Sequence, residues 1–383
     1  MLIPYFLPHP LSALYSVILI LKPDVDTKSR EYGLLLDYLE SLPNVQFRTH
    51  DVQGSGQRLT EVYLIGDTKS LSPESMRRLP TVDRIVRVSE SYRVLGRHIN
   101  DNRPAFFDYN GIRFSQNNFN VFAGLCAVDT SEHVELMMSA LHEHGQQCAR
   151  MGAYKPRTSP YSFQGHGKSC LNFVFELAGK YDIKVIAMEV THESHVEEID
   201  HALEETGRPT GVMVQIGTRN TQNFELLKAV GRQNTYPVLF KRGFGITLNE
   251  SLNAAEYLAS EGNRNVVFAL RGMKSSHGDP HRTLVDFAHV PVIKRKTLMP
   301  VCVDPSHSVG SREVGRDGIM DVLHATAQGV IAGANMVLVD FHPEPEKALV
   351  DGPQALLLSE LGPFLEDVQI VRDAYLKRLE IQR

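Results

Sequence analysis

The sequence predicts an α/β protein in which a (β/α)8 barrel follows a small βαββαβ domain. Three observations carry that prediction. From Asn120 onward, eight short runs of buried-type residues alternate with amphipathic segments, the count expected of a closed eight-stranded barrel. The preceding stretch changes rhythm to strand, helix, two strands, helix, strand. At 383 residues the chain also exceeds one ordinary core, leaving room for a barrel and an appended domain. A doubly wound sheet is the alternative arrangement of the same alternation.

The elements follow in order. The opening MLIPYFLPHPLSALYSVILILKP is apolar, but Pro4, Pro8 and Pro10 break it and it lacks a cationic start and a small-residue cleavage site, so no signal peptide is expected. No apolar run reaches the ~20 residues that span a bilayer. Within a first domain at 1–98, SVILILKP, VQFRTHDV, EVYLIGDT and DRIVRVSESYRVL read as strands, with TKSREYGLLLDYLESL and PESMRRL as helices. Residues 99–118, polar and punctuated by Pro and Gly, read as a linker with a short hairpin. The barrel is expected over 119–383, its strands at NVFAGLC, QCARMGAY, DIKVIAMEV, GVMVQIG, YPVLFKRG, NVVFALRG, MPVCVDPS and NMVLVDFH. Helices such as NFVFELAGKY, TQNFELLKAVG, LNESLNAAEYLASEG and MDVLHATAQGVIAG fall between them.

Composition narrows the function. With 42% hydrophobic and 22% charged residues, a net charge of -5 and no long basic run, neither nucleic acid nor an anionic membrane is expected as a main partner. Four scattered cysteines suit neither a disulfide framework nor a CxxC zinc site, which points to a reducing cytoplasm.

Catalytic groups of such barrels sit at the C-terminal strand ends and in the loops that follow. Those positions hold Cys126, Lys155 with Arg157, Glu189, Arg219, Lys241 with Arg242, Arg271, Asp304 with His307, and Asp340 with His342. Scattered surface cations account for one or two of them, not for their recurrence at one edge. An anion pocket is expected, with arginines presenting planar forks to phosphate or carboxylate and lysines compact charges. Arg150, Lys155, Arg157, Arg219, Lys241 and Arg271 exceed the need of one dianion, so two phosphorylated ligands, or a phosphate plus a carboxylate, would use them. Within this set YKPRTSPYSFQGHGK, residues 154–168, mixes cations with hydroxyls and holds no acid; alone it reads either as an anion seat or as a solvated, proline-stiffened loop.

A second constellation, Cys126, His307, Asp340 and Asp351, joins a thiol, an imidazole and two carboxylates, a donor set suited to one divalent Mn, Fe, Co or Zn ion. A lone buried Cys is otherwise inert packing. Four motifs are set aside. QGHGKS ends like a P-loop, but Ser162 stands where the first glycine belongs. HEH at 142–144 and HESH at 192–195 read as helix-end or helix-face residues, and HGDPH at 277–281 as a mobile loop that could cover the site.

Taken together, RMGAYKPRTSPYSFQG, QIGTRNTQNFELL, PVLFKRGF, RGMK, VDPSHS and HPEPEKALVDG resemble the 3-deoxy-D-arabino-heptulosonate 7-phosphate (DAHP) synthases of the type I beta group, across nearly the whole chain. KPRTS separates them from the related 3-deoxy-octulosonate 8-phosphate synthases, which resemble KANRS there. The resemblance implies a TIM barrel behind a ferredoxin-like domain, condensing phosphoenolpyruvate with erythrose 4-phosphate at the entrance to the shikimate pathway. It implies that Arg150, Lys155, Arg219, Lys241 and Arg271 hold phosphoenolpyruvate, with Glu189 nearby, and that Arg157, Thr158 and Ser159 take the sugar phosphate. Cys126, His307, Asp340 and Asp351 would hold the metal, with Asp304 close by and Lys155 transferring a proton. It further implies an aromatic amino acid effector on the first domain and a homo-oligomer, dimer or tetramer.

The chain also departs from the family. The first-strand motif GPCSVE is here GLCAVD, with Leu125, Ala127 and Asp129, and the glutamate of ERG is Leu270. Asp340 replaces a metal glutamate and reaches roughly 1.5 Å less far. These changes bear on the metal and on the acceptor. They keep two other readings open: condensation with a different aldose, and a catalytically silent relative that binds phosphoenolpyruvate.

Overall fold

The structure is a computed structural model and describes residues 17–53, 58–68, 71–87, 91–98, 101 and 103–382. The start of the chain, read as lacking a signal peptide, lies outside the described residues through residue 16. The chain divides into two compact units, Met1–Arg103 and Pro104–Arg383.

In the first unit, β1 (Val17–Leu21), β2 (Val45–Gln53), β3 (Arg58–Gly66) and β4 (Val82–Arg87) form an antiparallel sheet in the order β2-β3-β1-β4. The helix Arg30–Glu40 starts at Ser29, whose hydroxyl accepts from the Tyr32 N–H at 3.1 Å. Leu35 and Leu39 from that helix, Met76 from the short helix Pro73–Arg77, and Leu19, Val62 and Leu64 from the central strands make one core. The last strand is shorter than DRIVRVSESYRVL suggests: β4 ends at Arg87, and residues 91–98 are irregular. There Arg103 reaches back to the Val94 and Gly96 carbonyls at 2.9 and 2.6 Å while paired with Asp101, so those carbonyls find a donor without a ladder.

The second unit begins with a hairpin, β5 (Phe106–Tyr109) and β6 (Ile112–Ser115), turning at Asn110 and Gly111, both with positive φ. The short hairpin expected within 99–118 is present. Phe107, Tyr109, Ile112 and Phe114 pack against the apolar residues inside the barrel, so this part of the segment also plugs the N-terminal end of the barrel.

Eight parallel strands follow: β7 (Asn120–Leu125), β8 (Cys148–Met151), β9 (Val185–Val190), β10 (Gly211–Ile216), β11 (Val238–Lys241), β12 (Val266–Leu270), β13 (Val301–Val303) and β14 (Met336–His342). They pair in sequence, and β14 pairs with both β13 and β7, which closes the barrel. Almost every strand residue is buried, because helices such as Leu171–Lys180, Phe224–Arg232, Leu248–Ser260 and Asp321–Ile331 cover the outer face. Among the described residues no helix is long and apolar enough to cross a membrane.

Candidate active site

Side chains alternate between the inside and outside of a strand, so the inward row can be followed up each one. Its lower positions are apolar: Phe122, Cys148, Ala187, Met213, Leu239, Ala269, Cys302 and Leu338 form one cluster. Two residues further toward the C-terminal end, seven of those strands place Arg150, Glu189, Gln215, Lys241, Arg271, Asp304 and Asp340, all buried. On β7 the corresponding position is Gly124, with φ 148°; a Cβ there would come within 2.4 Å of the Arg150 carbonyl oxygen. The barrel thus changes from apolar filling to ionic groups within one step of the strand period.

A cavity of about 220 Å³ opens above this layer, bordered by Cys126, Lys155, Arg157, Thr158, Ser159, Glu189, Arg219, Lys241, Arg271, His307 and Asp351. Arg150, Asp304 and Asp340 do not border it but lie buried next to residues that do. Arg157, Thr158 and Ser159 are exposed, so the basic loop of residues 154–168 contributes a buried Lys155 and an outer group of hydroxyls and a guanidinium. Lys168 lies in the turn Gly167–Cys170 and does not border the cavity. Arg242 is also absent from that border: it donates to Asp286 at 2.8 Å and contacts His289 Nδ1 at 2.9 Å.

The cations are unequally neutralised. Lys241 donates to Asp304 Oδ2 at 2.6 Å, Arg150 pairs with Asp340, and Lys155 Nζ lies 3.7 Å from Glu189 Oε2 and 3.5 Å from Cys126 Sγ. Burial would lower the Lys155 pKa, but Cys126 and Glu189 outweigh it and raise it, which keeps an ammonium at neutral pH. Arg271 has no such partner. Its Nε and Nη1 are buried without a hydrogen bond, its guanidinium lies 4.4 Å from the Phe244 ring centroid, and burial pushes its pKa down to about 10. A buried fork without an acceptor is suited to an anionic ligand.

The local cause of the His307 position is readable in DPSHS. Asp304 caps the helix Pro305–Val309, with proline in the first turn, and its Oδ1 accepts from the His307 N–H at 3.1 Å and from Nδ1 at 3.0 Å. Fixing Nδ1 in this way leaves Nε2 facing Cys126 Sγ at 3.7 Å and Asp351 Oδ2 at 3.4 Å. Burial alone would lower the His307 pKa, but Asp304 and Asp340 raise it to about 10. Asp351 has a left-handed backbone, φ 55°, and is held well below the usual carboxylate range; burial opposes this, and His307 and Arg282 prevail.

Donor atoms of Cys126, His307, Asp340 and Asp351 all lie within 4.8 Å of one another. A thiol, an imidazole nitrogen and carboxylates gathered this closely fit a divalent ion, whose donors at roughly 2.0–2.3 Å stand about 3.3–3.8 Å apart in a tetrahedral set. A second group, Asp129 with His133 and His342, is different in kind. His133 Nδ1 and His342 Nε2 lie 2.7 and 2.8 Å from the same Asp129 oxygen, separations of hydrogen bonds rather than of metal ligands. This group ties the loop after β7 to the end of β14.

Four participants escaped sequence reasoning. Arg282, at the end of the HGDPHR loop, borders the cavity and donates to Asp351 Oδ1 at 3.1 Å and Gln354 Oε1 at 2.9 Å. Gln354 in turn donates to Asp340 Oδ2 at 2.5 Å. Gln215 lies 3.3 Å from Glu189, and Ser306 accepts from the Asp340 N–H at 3.0 Å. The inward period of β10 would have found Gln215; the others are joined only by tertiary contacts.

Comparison with known proteins gives the family of the chain. The sequence profile of the DAHP synthetase I family matches residues 104–376. A phospho-2-dehydro-3-deoxyheptonate aldolase of Thermotoga maritima is 34% identical over 319 residues, covering 83% of this chain and 89% of its own length. A 2-dehydro-3-deoxyphosphooctonate aldolase of Syntrophobacter fumaroxidans is 27% identical over 288 residues, covering 71% and 94%. Among solved structures, Thermotoga maritima DAHP synthase aligns with a TM-score of 0.67 and 31% identity over 94% of this chain and 98% of its own. A truncated form of the synthase from that organism aligns at 0.63 and 31% over 74% and 97%. The chain belongs to the DAHP synthetase I family.

Proposed function

We infer that this protein is a metal-dependent 3-deoxy-7-phosphoheptulonate synthase, condensing phosphoenolpyruvate with erythrose 4-phosphate to DAHP and phosphate at the first step of the shikimate pathway. The observation that carries this reading is the buried, unpartnered fork of Arg271 on the same cavity as the Cys126, His307, Asp340 and Asp351 cluster. One feature suits a phosphoryl or carboxylate group and the other a Lewis acid, and the family joins both in one reaction.

Lys155, Arg219, Lys241 and Arg271 hold the phosphate and carboxylate of phosphoenolpyruvate, with Arg150 adding its charge from the buried layer and Glu189 orienting Lys155. Arg157, Thr158 and Ser159, on the exposed side, take the sugar phosphate. The fixed cations hold two mutually repelling anions together, lowering the barrier through orientation and preorganised charge. C3 of phosphoenolpyruvate bonds to the aldehyde carbon with the electrons of its C2–C3 π bond, and the Lys155 ammonium gives its proton to the aldehyde oxygen. Water adds at the cationic C2 and returns one proton to Lys155, and phosphate departs with the second proton as its C2–O bond breaks and the C2 ketone forms. Bound at the Cys126 cluster, a divalent Mn, Fe, Co or Zn ion supplies Lewis-acid polarisation of a carbonyl oxygen. Asp304 orients His307 and balances Lys241.

The same reading includes a cytoplasmic location, assembly as a dimer or tetramer, and an aromatic amino acid effector acting through the first unit. The test is metal-loaded protein with phosphoenolpyruvate and a panel of aldose phosphates, following phosphate release and product mass with a chelator control. Turnover with erythrose 4-phosphate alone, lost on chelation, is expected. Turnover only with a five-carbon aldose phosphate would transfer the chain to the octulosonate reaction, and none with any metal would make it a silent relative.

A further inference from the structure

Resting on the synthase reading, we propose that Asp340 is not a direct metal donor but a buried counter-ion locked by Arg150 and Gln354, so that three side chains, Cys126, His307 and Asp351, hold the ion. The four-residue cluster divides by geometry. Cys126 Sγ, His307 Nε2 and Asp351 Oδ2 form a triangle with sides of 3.7, 3.4 and 3.3 Å. That is already the size of one face of a tetrahedral coordination sphere, about 3.3–3.8 Å between donors.

Asp340 lies off this face. It approaches the imidazole at Nδ1, 3.7 Å away, and that nitrogen is bonded to Asp304 Oδ1 at 3.0 Å. Both Asp340 oxygens are engaged elsewhere, Oδ1 by the Arg150 guanidinium and Oδ2 by Gln354 Nε2 at 2.5 Å. Its backbone N–H is tied to Ser306 Oγ at 3.0 Å, which resists the inward strand shift a shorter side chain would need. Gln354 is held from turning over, because its Oε1 accepts from Arg282 at 2.9 Å, and the same Arg282 nitrogen holds Asp351 at 3.1 Å.

Charge points the same way. A dication sharing the Asp340 carboxylate would face the guanidinium already paired there, and withdrawing the carboxylate from that pair would strand a buried Arg150. Asp340 therefore orients Arg150, while Gln354 and Arg282 connect it to the donor Asp351. Asp340 is a positioning residue.

The experiment loads metal-free protein with Co²⁺, reading the thiolate-to-metal absorption band and the affinity by chelator competition. Asp340→Asn should keep the band and lose no more than about a hundredfold in affinity, the scale of an outer contact, while raising the KM for phosphoenolpyruvate. His307→Ala and Asp351→Asn should each lose at least about a thousandfold, as removal of a donor requires. A thousandfold loss in Asp340→Asn would overturn the proposal. Tight cobalt binding in both His307→Ala and Asp351→Asn would sink the metal-site reading itself, and the proposal with it. If Asp340→Asn does not fold, cobalt-loaded wild-type crystals decide: the Asp340 carboxylate is expected beyond about 3 Å from the ion, and a bond near 2.1 Å overturns the assignment.

Discussion

Arg271 sets binding against stability at a single side chain. Its guanidinium is buried, two of its nitrogens lack a hydrogen bond, and its pKa is pushed down to about 10 by burial. Below pH 10 the group is charged in both the folded and unfolded states, so the cost of burying that charge is present across the physiological range and eases only above pH 10. By linkage that cost is roughly 3–4 kcal/mol, and a bound anion would offset it. Arg271→Met should therefore raise the melting temperature in anion-free buffer by a few degrees, while raising the KM for phosphoenolpyruvate about 100-fold or more. Phosphate should raise the melting temperature of the wild type more than that of the variant, which keeps the other cations of the cavity. A variant that melts lower and binds phosphoenolpyruvate normally would assign Arg271 to packing instead. Arg271 was legible because it ends a strand in RGMK; Arg282 and Gln354 were not, since they meet Asp351 and Asp340 through the folding of loops that nothing in their spacing announces.

At the scale of elements, all eight barrel strands were readable as apolar runs, because a strand buried on both faces loses its polar alternation. The charged strand ends were named from the sequence, but the same property hid which residues point inward, so Gln215 in that layer was missed until the register was known. The hairpin β5–β6 was expected, but within a linker: FFDYNGIRF places an Asn-Gly turn between alternating apolar residues, while its polar and Gly-containing surroundings hid its packing against the barrel. Phe114 is its anchor: buried, stacked on Phe107 with centroids 5.1 Å apart and tilted against Phe122 at 6.2 Å. Phe114→Ala should destabilise the protein by about 3–5 kcal/mol, measured by denaturant unfolding. Its KM for phosphoenolpyruvate should stay within about twofold, since the plug closes the N-terminal end of the barrel and chemistry belongs to the other. A large KM change with little loss of stability would show that the hairpin acts on the site.

For the whole molecule, the division into two units leaves every residue assigned to chemistry in the second. Every residue assigned to binding, metal or proton transfer lies beyond residue 103, and each unit encloses its own apolar core. The first unit carries no comparable cluster of donors among its described residues. Its sequence marked a separate domain by its change of rhythm, but no local pattern in it marks an effector site. If the synthase reading is right and the first unit is regulatory, tyrosine or phenylalanine should inhibit the full chain. Protein comprising residues 104–383 should then condense the same substrates with KM values within a few fold, because the closed barrel and its plug are intact, and should no longer respond to either amino acid. Inhibition that survives truncation would place the effector on the barrel, and truncated protein that folds but does not turn over would make the first unit part of the catalytic assembly.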